Sequence, residues 1–238
     1  MPRTLEAVKE LLQQVASERK KGDALRKVGQ EDRARRAYEA GLARAEQAVD
    51  LLLQPPYDAL PSAEPPLSTE HEQALLELVE ACGVRGGLLQ RLTRIPEALT
   101  SYKEGGELEA QFQLPGTYNR LNALRCTLLS GAQHLDSLQP QLQDLAEIIE
   151  EQLRSDPKCG DSGWAWADLG DVHALLGQLD QAQTAYATFM DKSETKSPER
   201  TLEVLGQIAV QLQRSGDPGA VRLHDAIEYL RGRLQGVR

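Results

Sequence analysis

Apolar residues recur along this chain at the spacing of helix faces. Leu5, Val8, Leu11, Leu12 and Val15 fall three or four residues apart, and Ala34, Ala37, Tyr38, Gly41, Leu42, Ala45 and Val49 resume the pattern after Gly29 and Gln30. This 3.6-residue period predicts two amphipathic helices, over 4–22 and 31–53, joined by a short turn. Residues 54–69, QPPYDALPSAEPPLST, hold five prolines and can continue neither a helix nor a central strand. They are expected to form a long extended loop or a linker, exposed to solvent. Thr69 and Glu72 have the spacing of a capping box, which starts the next helix.

From there the predicted helices come in pairs: 70–92 with 95–112, 116–130 with 137–154, 162–176 with 179–191, and 198–214 with 217–235. Gly116, Gly131, Gly177 and Gly216 punctuate them. Ser197 followed by Pro198 reads as a cap residue with proline at the first helical position. No period-2 run of useful length exists, so the chain is expected to be all-α. Its organisation reads as an N-terminal helix pair over 1–53, a proline-rich loop over 54–69, and helical pairs over 70–238 ending in a capping helix.

Internal periodicity sharpens this expectation. WADLGDVHALLGQLDQAQTAYATF places Trp166, Leu169, Gly170, His173, Gly177, Ala182, Tyr186 and Phe189 at the positions of a tetratricopeptide repeat. Fainter copies keep Gly22, Leu25, Gly29, Ala34 and Tyr38, and Gly86, Leu89, Ala98 and Tyr102. The chain resembles the tetratricopeptide-repeat family over most of its length. A weaker resemblance, carried by GGLLQRLTRIPEALTSYKEGGELEA, TYNRLNAL and WAWADLG, is to the divergent repeat region called the TRAFs-binding domain of stress-kinase regulators and bacterial multi-domain proteins. The resemblance implies a right-handed superhelical solenoid of about five antiparallel helix pairs. It also implies a binding or regulatory role without chemistry.

Composition narrows the function. Twenty-seven basic against 36 acidic residues give a net charge of -9, which argues against nucleic acid or an anionic membrane as partner. Cys82, Cys126 and Cys159 lack the number and spacing of a disulfide framework or a zinc site. No run reaches the 18 or more apolar residues of a membrane helix, and the N-terminal segment lacks the apolar core of a signal peptide. A cytoplasmic location is expected. His71, His134, His173 and His224 are scattered, and GVRGG has neither the preceding strand nor the Lys-Ser/Thr of a phosphate loop. Neither catalysis nor a metal or cofactor is therefore expected.

The resemblance turns the first helix of each pair toward a concave groove, where a partner peptide or helix binds. Its inward positions are Arg19, Asp23, Arg26 and Lys27; Glu80, Val84, Gly87 and Arg91; and Trp164, Asp168, Asp171 and Leu175. Tyr118, Asn122 and Arg125 share one helical face between them. The carboxylate clamp of chaperone-binding relatives is not expected, because Asp23, Val84 and Asp168 stand where it needs Lys or Asn. Trp164 and Trp166 lie about 200° apart on a helix, placing Trp166 inside and Trp164 toward the groove. The candidate partner-binding residues are Arg19, Arg26, Arg91, Tyr118, Asn122, Arg125, Trp164, Asp168 and Asp171. The alternative is a structural unit that self-associates as a homo-oligomer; an enzyme is the remote one.

Overall fold

Helix boundaries follow the local chemistry. The computed structural model describes residues 3–63, 65–114, 116–161, 163–192 and 199–236, and the expected Ser197–Pro198 cap lies outside them. Ten α-helices and no strand occur among the described residues: α1 Arg3–Lys27, α2 Glu31–Leu52, α3 Thr69–Arg91, α4 Ile95–Gln111, α5 Tyr118–Ser130, α6 Gln139–Ser155, α7 Trp164–Leu176, α8 Leu179–Lys192, α9 Glu199–Arg214 and α10 Gly219–Gly236. α1 runs past Gly22, where the apolar pattern stops, and ends before Gly29. α3 is capped by Ser68, whose hydroxyl accepts from the His71 N–H at 3.3 Å, one residue before the Thr69 expected to do so. Gly177 closes α7 with φ of 75°, while Gln178 N–H bonds back to His173 O at 2.9 Å.

The chain divides into two units, Met1–Ala123 and Leu124–Arg238, with the boundary inside α5. In the first, α1 packs along α2, α3 along α4, and α2 against α3, and α1 also reaches α3. Leu5, Val8, Leu12, Val49, Leu52, Leu75, Leu78 and Cys82 form its core. The proline-rich segment is not a free linker. It contains a 3-10 turn at Leu60–Ser62, and Tyr57 and Leu60 are buried in the same core. Tyr57 Oη donates to Glu70 Oε1 at 2.8 Å, and its ring meets His71 edge-on. The periodicity missed this because the anchoring side chains are isolated among prolines.

In the second unit α7 pairs with α8, α9 with α10, and α6 lies against α7. α10 also reaches back past α9 to both α7 and α8. These contacts correct the solenoid expectation. In a regular repeat stack each pair meets the next in the same way, whereas α1 and α2 both meet α3 in the first unit and it is the last helix, α10, that meets both α7 and α8 in the second. Each unit is a compact bundle of helices, not a run of superhelical tetratricopeptide repeats.

What recurs is local. Gly22 sits under Tyr38, Gly86 under Tyr102, and Gly170 under Tyr186, each glycine on the first helix of a pair and each tyrosine on the second. A β-carbon at these glycines would lie 2.4, 2.8 and 2.4 Å from the tyrosine rings, so only glycine permits the helices to approach this closely. The spacing read as a family signature is thus a helix-crossing device used three times.

All three cysteines are free thiols. Cys82 and Cys126 are buried, and burial pushes their thiols up to about 11 and about 12. Cys159 is partly exposed, with its thiol raised by partial burial and by Asp156.

Candidate functional site: two arginine–aspartate clusters

In the first unit the glycine that admits Tyr38 is followed by Asp23, and the tyrosine hydroxyl donates to Asp23 Oδ1 at 2.8 Å. Arg91, from the C-terminal end of α3, grips the same carboxylate through Nε at 2.9 Å and Nη2 at 3.3 Å. Its Nη1 donates to Gly87 O at 3.1 Å, which fixes the guanidinium on its own helix. Arg26 lies over the Tyr38 ring at 5.2 Å and donates to Arg91 O at 2.8 Å. Burial would raise the Asp23 carboxyl, but Arg91 and the Tyr38 hydroxyl outweigh it and hold it below the usual value. Burial, reinforced by Asp23, pushes the Tyr38 hydroxyl up to about 12.

The second unit repeats the arrangement. Gly170 admits Tyr186, whose hydroxyl donates to Asp171 Oδ1 at 2.7 Å. Arg125 Nη2 bonds to Asp171 Oδ2 and, at 3.1 Å, to Asp168 Oδ1. One guanidinium therefore serves two carboxylates, in a cluster buried more deeply than the first. Burial pushes the Asp171 carboxyl up to about 6 despite the attraction of Arg125, and the Asp168 charge adds to the rise. Burial raises Asp168 as well.

The sequence-derived candidates fall into distinct environments. Arg19 and Arg26 are partly exposed, and Arg91 is mostly covered in its ion pair. Tyr118 is 47% exposed, its ring edge-on to Tyr102 at 6.0 Å. Asn122 is buried, its amide donating to Tyr118 O at 2.8 Å on the same helix. Arg125 and Asp171 are buried and form the core cluster with the partly buried Asp168. Trp164 is 42% exposed and leans on Phe189 with ring centroids 5.6 Å apart. Trp166, expected inside, is only partly buried.

Three contributors lie outside the candidate site residues read from sequence. Tyr38 and Tyr186 act as hydroxyl donors as well as packing residues; the signal was a Gly-Asp dipeptide 15 residues ahead of each tyrosine. The third is Glu109 of α4, 1% exposed, which accepts from the Asn119 N–H at 3.1 Å and the Arg120 N–H at 3.3 Å. It thereby holds the N-terminus of α5, the turn that carries Tyr118. No local pattern announces a carboxylate ten residues upstream as a cap.

Among the described residues no helix is long and apolar enough to cross a membrane, and no group of three or more His, Cys, Asp or Glu is placed to hold a metal ion. No protein-family model matches the chain, and no curated protein matches it either.

Proposed function

We propose that this all-helical protein is a protein–protein interaction module, with a regulatory or scaffolding role, that binds a peptide or helix of a partner. The observation that carries this reading is the pairing, in each unit, of a half-exposed aromatic ring with a fixed arginine–aspartate cluster. Tyr118 stands beside Arg91 in the first unit: the Tyr118 hydroxyl and Arg91 Nη1 both border Gly87. In the second, Trp164 is four residues from Asp168 on α7, hence on the same helical face. Aromatic and arginine side chains with little conformational freedom are the residues on which binding energy concentrates. The clusters fix the arginines, Tyr102 and Phe189 back the two rings, and both rings stay about half exposed. Three free thiols suit a reducing, cytoplasmic setting.

Buried Arg125 is unsuitable for a binding test, because its removal breaks the core. The test uses the full chain carrying a photo-crosslinking amino acid at position 118 or 164, with position 206, in the partly exposed middle of α9, as control. A partner crosslinked from 118 or 164 and not from 206 supports the reading. Tyr118→Ala should then weaken binding of that purified partner at least tenfold, about 1.4 kcal/mol, without lowering the thermal midpoint. No crosslink at 118 or 164, or crosslinking only to a second copy of the chain, would overturn it, the latter in favour of self-association.

A further inference from the structure

The three glycine–tyrosine pairs differ in the residue after the glycine. After Gly22 it is Asp23 and after Gly170 it is Asp171, each accepting from its tyrosine hydroxyl and from an arginine of another helix. After Gly86 it is Gly87, which has no side chain. A β-carbon at Gly87 would lie 3.5 Å from Tyr102 Oη, 3.6 Å from Arg91 Nη1 and 3.7 Å from Tyr118 Oη, all ordinary contacts. The direction in which the other two copies send a carboxylate leads here to a guanidinium and two phenols, with no carboxylate of the chain among the nearest atoms.

The geometry points to this place as a socket for the side-chain carboxylate of an Asp or Glu in a partner peptide, received between Arg91, Tyr102 and Tyr118. Three observations support an incoming carboxylate over an apolar group. The bordering polar atoms of Arg91 and Tyr118 are hydrogen-bond donors, and a carboxylate accepts from several at once. Arg91 holds one carboxylate, Asp23, whereas its counterpart Arg125 holds two, Asp168 and Asp171; a second carboxylate on Arg91 would reproduce an arrangement this chain already builds. Tyr118 is 47% exposed, whereas Gly87 and Tyr102 behind it are buried, so a partner would reach the socket past the Tyr118 ring. Asp23 repels an incoming anion, but both its oxygens are engaged by Arg91.

This proposal rests on the interaction-module reading and specifies what the first unit recognises. The probe is the blocked pentapeptide acetyl-Ala-Ala-Asp-Ala-Ala-amide, titrated into the isotope-labelled full chain by NMR while the Gly87 amide and the Arg91 Nε–H are followed. The Asn-containing peptide and sodium acetate are run at matched concentration. Saturable shifts with the Asp peptide, at least fivefold larger than with the Asn peptide, are expected. Equal shifts from both peptides, no shift, or shifts from acetate alone would overturn the proposal, the last by making a free small carboxylate the occupant. A stability comparison tests the same socket from inside: Gly87→Asp should melt higher than Gly87→Asn and abolish the peptide-induced shifts. A Gly87→Asp chain no more stable than Gly87→Asn would count against it. Crosslinking of a partner at position 118 that survives Gly87→Asp would sink the socket while leaving the interaction module standing.

Discussion

The same substitution should act with opposite sign at Gly170 and Gly206. At Gly170 a new methyl group collides with the Tyr186 ring, so Gly170→Ala should destabilise by about 1–3 kcal/mol through overpacking. At Gly206, within α9, nothing lies within 4 Å, and Gly206→Ala should stabilise by about 0.5–1 kcal/mol by removing a flexible residue from a helix interior. Urea unfolding of both variants checks the pair, and equal effects would refute the close approach. Asp171 gives the second residue-scale test. Its carboxyl is raised from 3.8 to about 6, so the folded chain keeps a proton that the unfolded chain releases between these values. This contribution to stability is full below 3.8 and is lost as pH rises through about 6. The Asp171 carboxyl carbon should titrate by NMR well above 3.8, and Asp168→Asn, which removes the neighbouring negative charge, should move that midpoint down. Arg125→Ala strands both carboxylates and should cost about 3–5 kcal/mol.

Between neighbouring elements, the link with most consequence is that from α4 to α5. Glu109 satisfies backbone N–H groups that every helix N-terminus leaves open, and it does so with a charge suited to the helix dipole. Gly105 allows the contact, since a β-carbon there would lie 2.6 Å from the Asn119 side chain. Glu109→Gln retains an acceptor but loses the charge, and should destabilise by about 1 kcal/mol. Hydrogen exchange should quicken first at the Asn119 and Arg120 amides, because they bond to this carboxylate. Unchanged protection there would show that α5 is held by packing alone. Loosening this turn should also move Tyr118, so binding would suffer from a change made nine residues away.

Over the whole chain, each unit encloses its own arginine–aspartate cluster, and a lesion should register first where it is made. Arg125→Ala should raise exchange in α7 and α8 more than in α1 and α2, as expected when regions open with separate free energies. Helix content was legible because the apolar spacing is regular in every long segment, and the close helix pairs were legible because Gly22, Gly86 and Gly170 keep a constant distance to their tyrosines. The higher order was not. Local spacing describes how two adjacent helices cross, but the return of α10 onto α7 and α8 depends on surfaces far apart in sequence. The site was half legible for the same reason: Arg91 and Tyr118 could be placed on helix faces, whereas the burial of Arg125 and Asn122 depends on what packs over them. The placement of the cysteines has a practical consequence. Cys82 lies in the first unit and Cys126 in the second, both shielded, while Cys159 is partly open. A maleimide should therefore attach first at position 159, and the slower modification of the other two, resolved by peptide mapping, would time the opening of each unit separately in the unaltered chain.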